Sequence, residues 1–333
     1  MNGADPLLDL AGVEVHFPPR QRGGSVAKAV DGVDLQVRRG EVLALVGESG
    51  CGKTTLARAV LGLQPVTAGE IRFGGRPVDR TRAGLRALRR QAQLVFQDPT
   101  GSLNPRQTIY EIVAEGPRIH RLPDEQLLVT DALARCGLRP PERFVLRYPH
   151  ELSGGQRQRV VIAGAMVMSP ELLVADEPVS SLDASVRGEI LRLLLELVHT
   201  QDVTVLVVTH DLGLAWNIAD RIAVMYLGRI VEVGPAAEIL EAPQHPYTRA
   251  LLSVVPEAHR MDQEILIGEA PDPTRIPRGC RFNPRCPMLR SGRAEELGVA
   301  SACQADDVAL QPTDHDRAVA CHAVHAAASP AAS

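Results

Sequence analysis

Residues Val46–Leu56, VGESGCGKTTL, decide how the rest of the chain is read. They follow an apolar run, Glu41–Val46 (EVLALV), and open the amphipathic segment Lys53–Leu63, so the pattern predicts strand, glycine-rich turn, helix. That is the context of a phosphate-binding loop. Gly47, Gly50 and Gly52 lack a Cβ, which lets the N–H groups of residues 48–54 turn inward around an anion at a helix N-terminus. Lys53 would bring a point charge to the β- and γ-phosphates, and Thr54 a hydroxyl to Mg²⁺. The chain has two lysines, Lys28 and Lys53. A chance match is therefore on the order of one in a thousand, and the competing reading is a glycine turn that merely caps a helix.

The composition, 45% hydrophobic and 23% charged over 333 residues, is ordinary for a soluble globular protein with room for two domains. A formal net charge of −4 argues against bulk affinity for nucleic acid. The most apolar region, Val203–Leu227, is broken by His210, Asp211, Asp220 and Arg221, so no membrane span is expected. The opening MNGADPLLDL lacks a positive segment followed by an apolar one, which predicts no secretory signal and a chain on the cytosolic side. Of six cysteines, Cys51 and Cys136 stand alone and four lie between 280 and 321. In a reducing compartment such a group suggests metal before disulfide.

Leu8–Phe17, Val30–Val37 and Glu70–Phe73 predict an antiparallel β layer beside the phosphate loop. Phe17 offers an aromatic face to a base or, equally, a core ring at a strand end. Leu85–Gln91 reads as a short basic helix and Gln93–Gln97 (QLVFQ) as a strand ending in a polar residue. Helical spacing from Thr108 makes 98–160 a helical insert that ends at Leu152–Gln156, LSGGQ, where Ser153 caps a helix running through Met168. A capped, glycine-flanked helix start is a second anion site, against the plainer reading of SGG as a flexible turn. Glu171–Ala175 (ELLVA) is an apolar strand running into Asp176 and Glu177. Two carboxylates at the end of a buried strand are costly unless a cation or a reaction uses them. On a continuing pleat they point in opposite directions, one toward a metal-bound water and the other toward the nucleophile. Ser181-Leu182-Asp183 begins a helix over 184–199, and Val203–Thr209 (VTVLVVT) is a strand of the parallel, doubly covered kind that ends in His210-Asp211. Alternating strands and helices after residue 40 predict a parallel α/β core with the polar residues of interest at strand ends.

These motifs, in this order, resemble the ATP-binding-cassette (ABC) ATPase subunits: GESGCGKTT the Walker A loop, Gln97 in VFQDP the Q-loop, LSGGQ the signature, LLVADEP Walker B, SSLD the D-loop and VTHDL the H-loop. GSLNPR (101–106), RYPHELSGGQRQR (147–159), HPYTRALL (245–252) and GCRFNPRCP (279–287) narrow the resemblance to dipeptide/oligopeptide permease ATPase subunits, over Leu8 to about His322. It implies a P-loop NTPase fold with a RecA-like core, an antiparallel β subdomain, a helical subdomain and a small cysteine-containing extension. The boundaries expected are 1–97 for the β subdomain and first part of the core, 98–160 for the helical subdomain, 161–256 for the rest of the core and 257–333 for the extension.

The resemblance also implies roles. ATP would lie on Gly47, Glu48, Ser49, Gly50, Cys51, Gly52, Lys53, Thr54 and Thr55, with Phe17 on adenine. Thr54, Gln97 and Asp176 would surround Mg²⁺, Glu177 would polarise the attacking water and His210 would touch the γ-phosphate. Ser153, Gly154, Gly155 and Gln156 would close over a partner's nucleotide, with Asp183 beside that interface, so a complete site needs two ATPase chains. The implied setting is the cytoplasmic face of the membrane, beside two transmembrane permease subunits and, indirectly, an extracytoplasmic substrate-binding protein. A soluble ABC ATPase acting on nucleic acid or ribosomes is the alternative. Ser181 replaces a common Ala, and Gly164 stands where relatives usually carry Arg. Cys280, Cys286, Cys303 and Cys321 are spaced C-x5-C-x16-C-x17-C, which fits neither a CxxC zinc ribbon nor a bacterial ferredoxin run. By resemblance they hold a [4Fe–4S] cluster, with MLRSGRAEELGVASA (288–302) as an insertion before the third. Zinc and unligated thiols stay open, and His315 and His322 are substitute ligands.

Overall fold

The computed structural model describes residues 5–19, 24–95, 98–180, 182–254, 266–269, 272–314 and 316–328. Its strands are β1 (Leu8–Phe17), β2 (Ala27–Val37), β3 (Val42–Val46), β4 (Ala68–Phe73), β5 (Arg76–Pro77), β6 (Ala92–Val95), β7 (Leu172–Asp176), β8 (Thr204–Thr209), β9 (Arg221–Tyr226), β10 (Arg229–Pro235), β11 (Gln311–Asp314) and β12 (Arg317–Val319). The main helices are α1 (Lys53–Val60), α2 (Arg82–Gln91), α3 (Pro99–Ser102), α4 (Ile109–His120), α5 (Glu125–Arg135), α6 (Gly154–Met166), α7 (Ala184–Gln201), α8 (Leu212–Ile218), α9 (Ala236–Glu241) and α10 (Pro246–Leu252). They form two compact units. One comprises Met1–Leu7, Val37–Val42 and Phe73–Val208, and the other Leu8–Gln36, Leu43–Arg72 and Thr209–Ser333.

In the first unit β6, β7 and β8 run parallel, with Ala92 opposite Leu172 and Leu172 opposite Thr204. Leu172, Leu173, Val174 and Ala175 are all fully buried, which is why this strand reads as a continuous apolar run rather than an alternating one. The segment expected to be a helical insert is helical. Its longer helices, α4, α5 and α6, pack on one another, and Ile109, Val113, Val129, Leu133, Val160 and Ile162 on them are buried. Thr108 starts α4 with a reciprocal cap: its hydroxyl accepts from the Glu111 N–H (3.3 Å) while the Glu111 carboxylate accepts from the Thr108 N–H (2.7 Å).

In the second unit β3 runs parallel to β9, from Leu43 opposite Arg221 to Val46 opposite Val224. β2, β1 and β4 are neighbours in a separate sheet. The strands after residue 220 lie beyond the sequence reading: β9 and β10 form an antiparallel hairpin through Leu227 (φ 44°) and Gly228 (φ 81°), and β12 and β11 extend it antiparallel. Helix α1 stops at Val60, short of the expected Leu63, because Gly62 turns left-handed (φ 61°) while the Leu63 N–H reaches back to the Arg58 carbonyl.

The extension is tied down by a buried carboxylate. Glu232, on β10 and fully buried, accepts from the N–H groups of Gln244 (2.8 Å) and His245 (3.0 Å) and from Arg317 of β12 (2.8 Å). A buried charge with three such donors is stable where an unpaired one is not. The same Arg317 donates to the Ala242 carbonyl. His245 then caps α10, its Nδ1 accepting from the Tyr247 N–H (3.0 Å). Among the described residues, no helix is long and apolar enough to cross a membrane.

Candidate functional site

β3 is buried along its whole length and delivers the chain into the loop of residues 47–52. Gly47 (φ 154°) and Gly52 (φ 111°) adopt backbone conformations that suit glycine, and close approach makes glycine obligatory at both. A Cβ at Gly47 would sit 2.2 Å from the Met225 carbonyl oxygen, and one at Gly52 would sit 2.0 Å from that of Ala29. Lys53 is 6% exposed and folds its ammonium back onto the Gly47 carbonyl (2.7 Å) and the Glu48 carbonyl (2.9 Å). Ser49 and Gly50 are exposed, while Thr54 and Thr55 are half-buried. Burial pushes the Cys51 thiol up, against the opposing charge of Lys53, so this cysteine is a small filler in the loop rather than a reactive thiolate.

Glu48 is held more tightly than its sequence position suggests. Its N–H donates to the Tyr247 hydroxyl (2.9 Å), and its carboxylate receives both arms of Arg285 (2.7 and 3.0 Å). Burial pushes the Tyr247 hydroxyl upward, so it stays protonated. Tyr247 and Arg285 were not singled out by sequence reasoning, although HPYTRALL and GCRFNPRCP contain them.

Phe17 ends β1 at 36% exposure, an aromatic face open to solvent. Beside it His16 contacts Asp31 (2.7 Å). Burial would raise the Asp31 carboxyl, but the hydrogen bond and charge of Arg281, with His16 and Lys28, outweigh it and hold the group below the usual carboxylate range. Glu14, His16 and Asp31 bring ligand atoms within 4.8 Å of one another. His210 is exposed just past Thr209, and Asp211 caps α8 by accepting from the Leu214 N–H (3.1 Å).

In the first unit Asp176 is the last residue of β7, half-buried. The expectation that Asp176 and Glu177 alternate on one pleat is corrected: the strand ends between them, Glu177 turns left-handed (φ 49°) and its N–H donates to the Val208 carbonyl (2.8 Å). Its direction is set by that turn, a conformation uncommon outside glycine and frequent at functional sites. Ser153 caps α6 reciprocally with Gln156: its hydroxyl accepts from the Gln156 N–H (3.3 Å) and its N–H donates to Oε1 (3.1 Å). Gly154 opens the helix, and a Cβ on Gly155 would lie 2.7 Å from Val186 of α7. Asp183 is the exposed residue before α7. Gln97 and Ser181 lie outside the described residues. Gly164 faces open space on a groove it shares with Ile112, Glu115, Ile119 and Val161.

Cys280, Cys286, Cys303 and Cys321 line a single cavity, although Cys286 and Cys303 are separated by sixteen residues. Burial first, then the neighbouring thiols, push Cys280 up to about 12 and Cys303 up to about 11. Backbone N–H groups oppose this at Cys280 (from Phe282) and at Cys321 (from Val324 and Ala323). Four soft donors around one cavity, with amides directed at two of the sulfurs, are a donor set chemically suited to a soft metal centre. His245 also borders the cavity, but burial lowers it to about 4 and its Nδ1 is engaged in capping α10, so it is a neutral wall. His322 contacts the Asp306 carbonyl (3.1 Å), and His315 lies outside the described residues.

Residues 30–180 match the family described as ABC transporter, and residues 231–292 match the C-terminal region of oligopeptide/dipeptide transporters. The chain is 42% identical over 307 residues to the oligopeptide transport ATP-binding protein AppF of Bacillus subtilis, covering 88% of this chain and 93% of that one. Among solved structures it is similar to cbiO1 of Clostridium perfringens, part of an ABC transporter complex, with TM-score 0.65 and 31% identity over 77% of this chain and 98% of that one. It is also similar to a dimeric ATP-binding cassette in a post-hydrolysis state bound to ADP and Pi, with TM-score 0.61 and 30% identity over 69% and 98% of the two chains. None of these relatives supports the alternative of an ATPase acting on nucleic acid or ribosomes.

Proposed function

The chain belongs to the ABC transporter family of ATP-binding subunits, and on that premise we propose that it is the ATP-hydrolysing subunit of a peptide importer. The observation that carries the reading is the loop of residues 47–52, where two glycines that no larger residue can replace wrap the backbone toward a buried lysine. Such a loop gives a polyphosphate what it needs most, fixed amide donors and a fixed positive charge at a helix N-terminus.

In this reading Lys53 leaves the Gly47 and Glu48 carbonyls for the β- and γ-phosphates, and the exposed Ser49 and Gly50 offer their amides. By the family's pattern Thr54, Asp176 and Gln97 would hold Mg²⁺, which would neutralise charge on the phosphates. Glu177 orients the attacking water, His210 contacts the γ-phosphate and Phe17 stacks on adenine. The capped start of α6, Ser153 to Gln156, serves the nucleotide of a second ATPase chain, with Asp183 at that interface, so hydrolysis requires a dimer. Residues 98–160 act as the helical subdomain, between the core segments 1–97 and 161–256, and 257–333 form the extension. The assembly is completed by two permease subunits at the cytoplasmic face, supplied by an extracytoplasmic substrate-binding protein. Cys280, Cys286, Cys303 and Cys321 would hold a [4Fe–4S] cluster, which would supply a cross-link within the extension.

Two experiments test this. Glu177→Gln in the assembled complex should abolish phosphate release and trap ATP, and undiminished hydrolysis would remove Glu177 from its role. Protein purified without oxygen should absorb in the visible and carry about four irons per chain. A colourless protein with stoichiometric zinc would overturn the cluster.

A further inference from the structure

Two arginines lie between the first two cysteines, Arg281 next to Cys280 and Arg285 next to Cys286, and each reaches a different segment of this unit. Arg281 donates to the Leu227 carbonyl (2.6 Å) and pairs with Asp31, the partner of His16 beside Phe17. Arg285, with a side chain only 7% exposed, makes the two-pronged pair with Glu48 of the phosphate loop. Glu48 is therefore gripped three ways: its carboxylate by Arg285, its N–H by Tyr247 and its carbonyl by Lys53. Tyr247 is in turn wedged between Tyr226 (ring centroids 4.6 Å) and Phe282 of the cysteine loop (5.4 Å).

We propose that Arg285 is a positioning residue for ATP binding, which through Glu48 fixes the phosphate loop and so couples the four-cysteine extension to nucleotide affinity. The proposal rests on residues 47–55 being the ATP phosphate loop. A bidentate guanidinium–carboxylate pair fixes orientation as well as distance. With it in place, the loop pays little ordering entropy when phosphate arrives; without it, that ordering is charged against binding. The Glu48 side chain is 27% exposed, so water can solvate its carboxylate once Arg285 is gone, and the loss falls on loop order rather than on the fold.

The test is Mg²⁺-dependent binding of a fluorescent ATP analogue to the full-length chain. Arg285→Gln and Glu48→Gln should each weaken binding by about tenfold, the scale of one charge-assisted pair. The double variant should be no weaker than either single, because both remove the same contact. Arg285→Lys should fall between, since a lysine keeps the charge and loses the fork. Lys53→Ala is the control on the loop itself. If Lys53→Ala abolishes binding while Arg285→Gln stays within twofold of the parent, the proposal fails and the ATP site stands. If Lys53→Ala binds like the parent, the phosphate-loop reading fails and takes the proposal with it. Additive losses in the double variant would also overturn the coupling through Glu48. Should Arg285→Gln not fold, Glu48→Gln and Arg285→Lys decide the matter by the same thresholds.

Discussion

Arg317→Met tests whether the extension is held by one buried ion pair. The side chain it removes is 5% exposed and faces Glu232, which is 0% exposed. Methionine fills similar volume, so the main loss is electrical: Glu232 keeps two backbone donors and loses the countercharge of Arg317. Leaving a buried carboxylate unpaired costs about 3–5 kcal/mol. The measurement is urea denaturation followed by the fluorescence of Trp216, the chain's single tryptophan, which sits on α8 in the same unit as the pair. In a Glu232→Gln background the same Arg317→Met change should cost about 2 kcal/mol less, because no charge is stranded. A loss below about 1 kcal/mol, or an equal loss in both backgrounds, would refute the argument that the charge pair holds the extension.

Gly52→Ala should be far more damaging than Gly50→Ala: both residues have positive φ (111° and 80°), but a Cβ at 52 strikes the Ala29 carbonyl oxygen at 2.0 Å while one at 50 meets nothing within 4 Å. Thermal melts should show only the left-handed penalty of about 1–2 kcal/mol for Gly50→Ala, and equal shifts would refute the close contact. His245 gives a pH signature. Its folded pKa is depressed from 6.5 to about 4 by burial, so its neutral form belongs to the folded state. Stability from this group is complete above pH 6.5 and is lost as pH falls toward 4, by about 3 kcal/mol in all. His245→Asn, which keeps a capping acceptor, should flatten that slope in urea midpoints measured across the window, and an unchanged slope would assign it to other groups.

What the sequence made legible was whatever local pattern determines. The apolar run of 41–46 meeting three glycines, and Ser153 with Gln156 three residues on, specify a loop and a cap without help from distant residues. Glu177 was misread because strand alternation was extended one residue past the end of β7, where the chain turns left-handed and bonds to Val208. The strands β9 to β12 escaped because RIAVMY was weighed only as part of a long apolar region, and β11 and β12 are short strands that take their order from β10. The contact of Arg285 with Glu48 spans 237 positions. No local rule reaches that far, and only the folded chain reveals that the extension touches the loop.

The phosphate loop leans on the carbonyl oxygens of Ala29 and Met225, and at Ala29 on backbone atoms alone, whereas the Met225 side chain also closes on Gly52, 2.9 Å from where its Cβ would sit. Every residue type carries a carbonyl oxygen, so mutations at 29 leave that seat of the loop intact while mutations at 47 and 52 destroy it. Over evolutionary time the constraint should therefore fall on the glycines and on the shape of residue 225, while residue 29 should drift as freely as its own packing permits.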